Sequence, residues 1–152
     1  MSREKKKTSV KSVKKAAPKK TVKASKAAKS VKNPTFRDQV LKAAHRAVKV
    51  GQDKMAKDFV LMDVNELSSI TDFFLIMSAT SERQIKAIAF EIEKTLKEEF
   101  GFRAIRMEGL AESRWVVMDY VDLIIHVFHE KVRPIYQMEE LWAEGRKIEV
   151  EG

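Results

Sequence analysis

The apolar positions change their period several times along the chain, and each change predicts an element. After an Asn33-Pro34-Thr35 start signal, Phe36, Val40, Leu41, Ala44, Ala47 and Val48 recur at helical spacing up to Gly51, which predicts a first helix. Phe59, Val60, Leu61, Met62 and Val64 form a short apolar run. A polar stretch over residues 65–71 separates it from a second run over 72–77, so two strands joined by a loop are expected. Ser81-Glu82-Arg83-Gln84 reads as a capping box. Ile85, Ile88, Ala89, Ile92 and Leu96 continue from it as one apolar stripe, and Gly101 ends the helix. Three more strands are predicted over residues 102–107, 114–119 and 122–128. The last is almost continuously apolar, as a central strand covered on both faces should be. Pro134 suits the first turn of a closing helix that docks Ile135, Met138, Leu141 and Trp142 on the sheet.

The predicted order is α-β-β-α-β-β-β-α, a single α/β domain of mixed α+β character with helices packed on a mixed sheet. Strand, capped helix and strand over residues 72–107 read as one right-handed crossover. No internal repeat is visible.

Charge divides the chain in two. Residues 1–34 hold 13 Lys/Arg against one acid, Glu4, whereas residues 35–152 hold 17 against 21. The basic excess therefore sits in a segment with no aromatic residue before Phe36, and the foldable part is mildly acidic. The expected division is a disordered Lys-rich tail over 1–33, a domain over 34–145 and a short C-terminal tail over 146–152. Lys5, Lys6, Lys7, Lys14, Lys15, Lys19 and Lys20 are the tail's candidate RNA contacts.

Cysteine is absent, which removes thiol catalysis and Cys-ligated metal centres. No apolar run approaches the roughly 20 residues of a membrane-spanning helix, and no apolar stretch follows the basic N-terminus as in a secretory signal. A cytoplasmic protein is expected. The N-terminus shares its basic, acid-poor character with organellar transit peptides, but 12 of its 13 basic residues are Lys and Pro18 interrupts any helical face, which disfavours targeting.

Candidate chemistry is sparse. Asp119 and Asp122 could hold a divalent metal, but their spacing does not force a shared strand face and no Gly-rich loop precedes a helix. His126 and His129 lack the Cys or acidic pair that would complete a zinc site, so packed histidines are expected. Ser68, Ser69 and Ser81 have no visible base, and loop hydrogen bonding and helix capping explain them. A chain that binds a partner without catalysis, cofactor or metal is expected. The best candidate surface is the strand over 114–119. It has Trp115 and Val117 on one face and Val116 and Met118 on the other, and either one face is exposed as a binding hot spot or helices cover both.

Several segments, in order, resemble the ribosomal silencing factor family, also called RsfS or Iojap-like. They are Leu67-Ser68-Ser69-Ile70-Thr71-Asp72-Phe73-Phe74, Ser81-Glu82-Arg83-Gln84 running into Ala87-Ile88-Ala89, and Glu108-Gly109. Arg114-Trp115-Val116-Val117-Met118-Asp119-Tyr120, Asp122-Leu123-Ile124-Ile125-His126-Val127-Phe128 and Tyr136-Gln137-Met138-Glu139-Glu140-Leu141-Trp142 follow. The resemblance implies a non-enzymatic translation repressor. Such a repressor binds the large ribosomal subunit through its universal protein number fourteen and blocks joining of the small subunit. It also implies a mixed five-stranded sheet of nucleotidyltransferase-like topology.

Carried onto this chain, the implied protein-contacting residues are Arg114, Trp115, Val117, Met118, Asp119, Tyr120 and Asp122, with Leu67, Ser68, Ser69 and Asp72 on a flanking loop. A homodimer of the free protein through the same apolar surface is a further expectation. Two positions depart from the family pattern. Val121 and Ala79 stand where Gly is frequent, so the turn at Val121 must either avoid a positive φ or strain a β-branched residue.

Overall fold

The computed structural model describes residues 34–151. The chain divides into two units, residues 1–38 and 39–152. The described part of the first is the opening turn of helix α1 (Pro34–Asp53), and the expected tail lies outside the described residues. The second unit continues with strands β1 (Lys57–Asp63) and β2 (Phe73–Ala79), helix α2 (Glu82–Phe100), and strands β3 (Arg106–Glu108), β4 (Trp115–Asp119) and β5 (Leu123–His129). Two short helices, α3 (Arg133–Tyr136) and α4 (Met138–Leu141), and a last strand, β6 (Arg146–Ile148), complete it.

The strands form one sheet of six in the order β3-β4-β5-β2-β1-β6. All neighbours are antiparallel except β2 and β5, which run parallel with Phe73 beside Leu123 and Ala79 beside His129. The expectation of a mixed sheet with β5 central holds. The expectation of five strands in a nucleotidyltransferase-like arrangement does not, because β6 adds a sixth strand on the outer edge of β1. Three residues with one apolar side chain, Ile148, carry no strand signal of their own. The free edge of β1 orders them, in a stretch assigned above to a tail.

The crossover also differs from the expected one. The parallel partner of β2 is β5, so the connection between them carries α2 and the β3-β4 hairpin arm rather than ending at residue 107. Residues 102–105, expected as strand, lead into a β3 of only three residues. The closing helix is split in two at Gln137, whose φ is 47°.

Helix α2 shows why the sequence folds as it does. Ser81 sits at its N-cap and its hydroxyl accepts from the Gln84 backbone N–H at 3.1 Å, satisfying one of the free donors of the first turn. Gln84 completes the cap one residue earlier than a simple box would. Its Oε1 accepts from the Thr80 backbone N–H at 2.8 Å, and its Nε2 donates to the Lys54 carbonyl. Ile85, Ile88, Ile92 and Leu96 are fully buried against the sheet, each worth about 1.5–3 kcal/mol of apolar burial. Gly101 ends the helix at a φ of 72°.

Helix α1 packs on the same sheet face through Val40, Ala43, Ala44, Ala47 and Val48. It runs two residues past the predicted end at Gly51. There a side chain would meet Met77 and Phe59 at 2.8 Å, so this glycine serves close packing rather than termination.

The two faces of the sheet carry two cores. The larger holds Leu61, Phe73, Leu75, Met77, Val116, Met118, Leu123, Ile125 and Val127 beneath α1 and α2. The smaller, on the opposite face, holds Met62, Val64, Phe74, Ile76, Phe128 and Val132, with Trp115, Ile124 and Trp142 packed against it.

Candidate protein-docking face

The hairpin of β4 and β5 sets the site. Their register pairs Trp115 with Phe128, Val117 with His126 and Asp119 with Ile124, so these six side chains share the face of the smaller core. Val116 and Met118 point the other way and are fully buried in the larger core. The question left by the strand's two apolar faces is thus answered by packing: α2 and the sheet close over Val116 and Met118, while Trp115, Val117, Asp119 and Ile124 are half-buried.

Trp115 is held rather than free. Its ring stacks on Phe128 at a centroid distance of 4.8 Å, meets Tyr136 of α3 at 4.5 Å, and donates from Nε1 to His126 Nδ1 at 3.1 Å. Because Nδ1 accepts, the His126 proton belongs on Nε2. That atom is buried and has no hydrogen-bond partner among the described residues. Burial alone pushes His126 down to about 4, so it is neutral near pH 7. A neutral imidazole wedged against Phe74 at 5.5 Å gives the indole a fixed acceptor and a fixed orientation.

Helices α3 and α4 lie on this face, with Tyr136 of α3 against Trp115 and Trp142, just after α4, against Phe74. Arg133, buried at the start of α3, donates from NH1 to the Asp58 carbonyl at 2.6 Å and to the Ser78 hydroxyl at 2.8 Å. Its Nε and NH2 donate to Glu139 Oε2 at 3.1 and 2.9 Å. Burial opposes the Glu139 charge, but these hydrogen bonds, one from its own backbone and the charges of Arg133 and Lys147 carry the carboxyl below its ordinary range. Ile135 and Leu141 are exposed, and Tyr136 stays 49% exposed although its ring meets Trp115.

The other sequence-predicted residues do not all lie on this face. Arg114 is exposed beside Trp115, and Glu108 of β3 pairs with Val117. Asp119 accepts the Val121 backbone N–H at 2.8 Å. Tyr120 turns into the larger core, where burial and the nearby Glu93 charge push its hydroxyl far up. Asp122 is buried, and its carbonyl accepts from the backbone of Asp72 and Phe73, which ties the loop after β1 to the β4-β5 turn. In that loop Ser68 and Asp72 are buried and Ser69 is exposed. Leu67 and Ile70 are exposed apolar residues. The Ser68 hydroxyl accepts from the Ile70 N–H, and Asn65 donates to Asp72 at 2.7 Å.

Met118 and Tyr120 are therefore interior. Tyr136, Ile124 and His126 belong to the site although sequence reasoning did not place them there. The turn at 121–122 carried the missing signal, since a two-residue hairpin loop fixes which β5 residues oppose Trp115 and Val117.

Among the described residues no group of three or more His, Asp or Glu could hold a metal ion, and no helix is long and apolar enough to cross a membrane.

The face thus presents a partly buried, pre-oriented aromatic ring with a mixed polar margin. The family model described as "RsfS: Ribosomal silencing factor during starvation" matches residues 37–152, and the chain belongs to that family of non-catalytic regulators. It is 41% identical over 106 residues to ribosomal silencing factor RsfS of Halalkalibacterium halodurans, covering 70% of this chain and 90% of the relative. A crystal structure of a protein from Chromobacterium violaceum aligns with a TM-score of 0.65 at 29% identity, over 74% of this chain and 92% of that one. A second, from Bacillus halodurans, aligns with a TM-score of 0.62 at 36% identity, over 74% and 99%.

Proposed function

We propose that this chain represses translation by docking the Trp115 face on the large ribosomal subunit, at its universal protein number fourteen, so that the small subunit cannot join. Membership of the silencing-factor family supports the general role of translation repressor. The observation that carries the choice of surface is the Trp115 indole, fixed by Phe128, Tyr136 and His126 yet only partly buried. An anchor ordered before binding loses little rotamer entropy on docking, which is what a hot-spot residue requires.

Val117, Ile124 and Tyr136 widen the apolar centre, and Arg114, Glu108 and Asp119 supply the polar rim. In this reading the protein acts in the cytoplasm, the Lys-rich tail adds salt-dependent affinity for ribosomal RNA, and the same face pairs two free copies when no ribosome is present.

The test is co-sedimentation of the full-length chain with isolated large subunits. Trp115→Ala should keep the circular dichroism of the fold and lose the subunit pellet. Undiminished pelleting of that variant would refute the surface.

A further inference from the structure

We infer that the outer face of α2, on the far side of the sheet from Trp115, is a second contact site, and that it takes a single-stranded stretch of RNA. The helix buries Ile85, Ile88, Ile92 and Leu96, so its opposite face carries Arg83, Lys86, Phe90, Lys94 and Lys97 at spacings of three and four. These residues form one strip about 21 Å long at 1.5 Å per residue. All four cations are exposed, and none has an ion pair among the described residues. Arg46, Lys49, Lys57, Arg106, Arg133 and Arg146, by contrast, are all paired with acids. In a folded part with 21 acids against 17 bases, this is a place where positive charge is left uncompensated.

At the middle of the strip Phe90 is 51% exposed. It lines a groove of about 520 Å³ between α2 and the loop before β4, with Arg83, Lys86, Ala87, Ala111 and Ser113 and with Glu82 as its one acid. The only other apolar groups there are two alanines, too little surface for the desolvated centre of a protein interface. A lone aromatic ring among cations is instead the composition of a base-stacking platform beside a phosphate track. Self-association is disfavoured by the same residues. Antiparallel pairing of two helices about Phe90 would set Arg83 against Lys97 and Lys86 against Lys94 of a second copy. Glu82, Glu91, Glu93 and Glu98 border the strip and confine the track to its centre line.

The test uses the full-length chain and a fluorescein-labelled oligouridylate of about 12 nucleotides, within the site size such platforms occupy. Ultraviolet cross-links mapped by mass spectrometry should fall on the α2 peptide containing Phe90, and Phe90→Ala should remove them and weaken binding about tenfold. Lys86→Ser with Lys94→Ser should reduce the slope of log affinity against log salt by about 1.4, two phosphate contacts' worth. The N-terminal lysines are the same in every variant, so their contribution cancels. Cross-links confined to residues 1–33 would overturn the inference. So would an unchanged slope, or an acidic, leucine-bearing peptide that binds the strip where the oligonucleotide does not. Naked RNA reads this site without the ribosomal protein, so the result is independent of the Trp115 docking assay.

Discussion

Trp115 and His126 hold one another across the β4-β5 hairpin, the indole N–H donating to Nδ1 at 3.1 Å while burial keeps the imidazole neutral. The bond makes the orientation of Trp115 depend on the protonation of a buried residue. The folded value near 4 lies below the ordinary 6.5, so between those limits the unfolded chain binds a proton that the folded chain refuses. Stability is therefore complete above pH 6.5 and falls as the pH drops toward 4, by about 3 kcal/mol over the window. Urea midpoints at pH 7 and pH 4.5 should show His126→Phe losing about 2–3 kcal/mol less than the parent chain. Equal losses in both would mean that the imidazole is not buried neutral.

Val121 is the first residue of the two-residue loop between β4 and β5, and its φ is 74°. This position in a hairpin loop calls for a positive φ, which glycine adopts freely and a β-branched residue only under strain. The loop is held by surrounding bonds: Tyr120 N–H to the Leu123 carbonyl, Asp122 N–H to the Tyr120 carbonyl, and Val121 N–H to Asp119. Val121 is 48% exposed, so little packing depends on it. Val121→Gly should raise stability by about 1 kcal/mol, the relieved strain exceeding the added backbone entropy. Thermal denaturation would check it, with a rise in Tm expected and a fall contradicting the strain.

The parts of the molecule that could be read in advance are those where local chemistry and tertiary packing agree. The Ser81 cap, the α2 stripe and the doubly buried β5 each follow from a short stretch of residues. The parts that could not be read are set by partners distant in sequence. Residues 146–148 become a strand because β1 has a free edge, and Gln137 takes a φ of 47° in the break that turns α4 so that Glu139 meets Arg133. The candidate site was half legible. Alternation separated Trp115 and Val117 from Val116 and Met118, but only the helix packing decides which pair faces solvent. Met118 and Tyr120, carried in by resemblance, are core residues, and Tyr136 enters because α3 lays its ring against Trp115.

Arg133 is the fastener of α3 and α4. One guanidinium satisfies the Asp58 carbonyl at the irregular start of β1, the Ser78 hydroxyl and the Glu139 carboxylate together. Replacing it by an apolar side chain of similar length leaves three polar groups without a donor, one of them charged. Arg133→Met should cost about 3 kcal/mol in chemical denaturation and expose the smaller core around Phe74 and Trp142, raising the binding of a hydrophobic dye. A loss under about 1 kcal/mol would show that water replaces the guanidinium and that the pair is of the weak surface kind.

Gly109 controls the position of Trp115 from the neighbouring chain segment. Its φ is 95°, and a side chain there would stand 2.1 Å from the Trp115 carbonyl oxygen, closer than any real contact. The loop that follows is pinned by the Ser113 N–H to the Gly109 carbonyl and by the Ser113 hydroxyl to the Leu110 carbonyl, so it has little room to yield. Gly109→Ala should therefore cost about 2–3 kcal/mol, and the start of β4 should give way rather than the loop. The variant should remain folded at low temperature and show altered tryptophan fluorescence, because the indole would leave its stack on Phe128. In the subunit pelleting assay it should bind more weakly than Val121→Gly, which leaves the Trp115 backbone untouched. Parity between the two variants would mean that docking does not depend on how the indole is aimed.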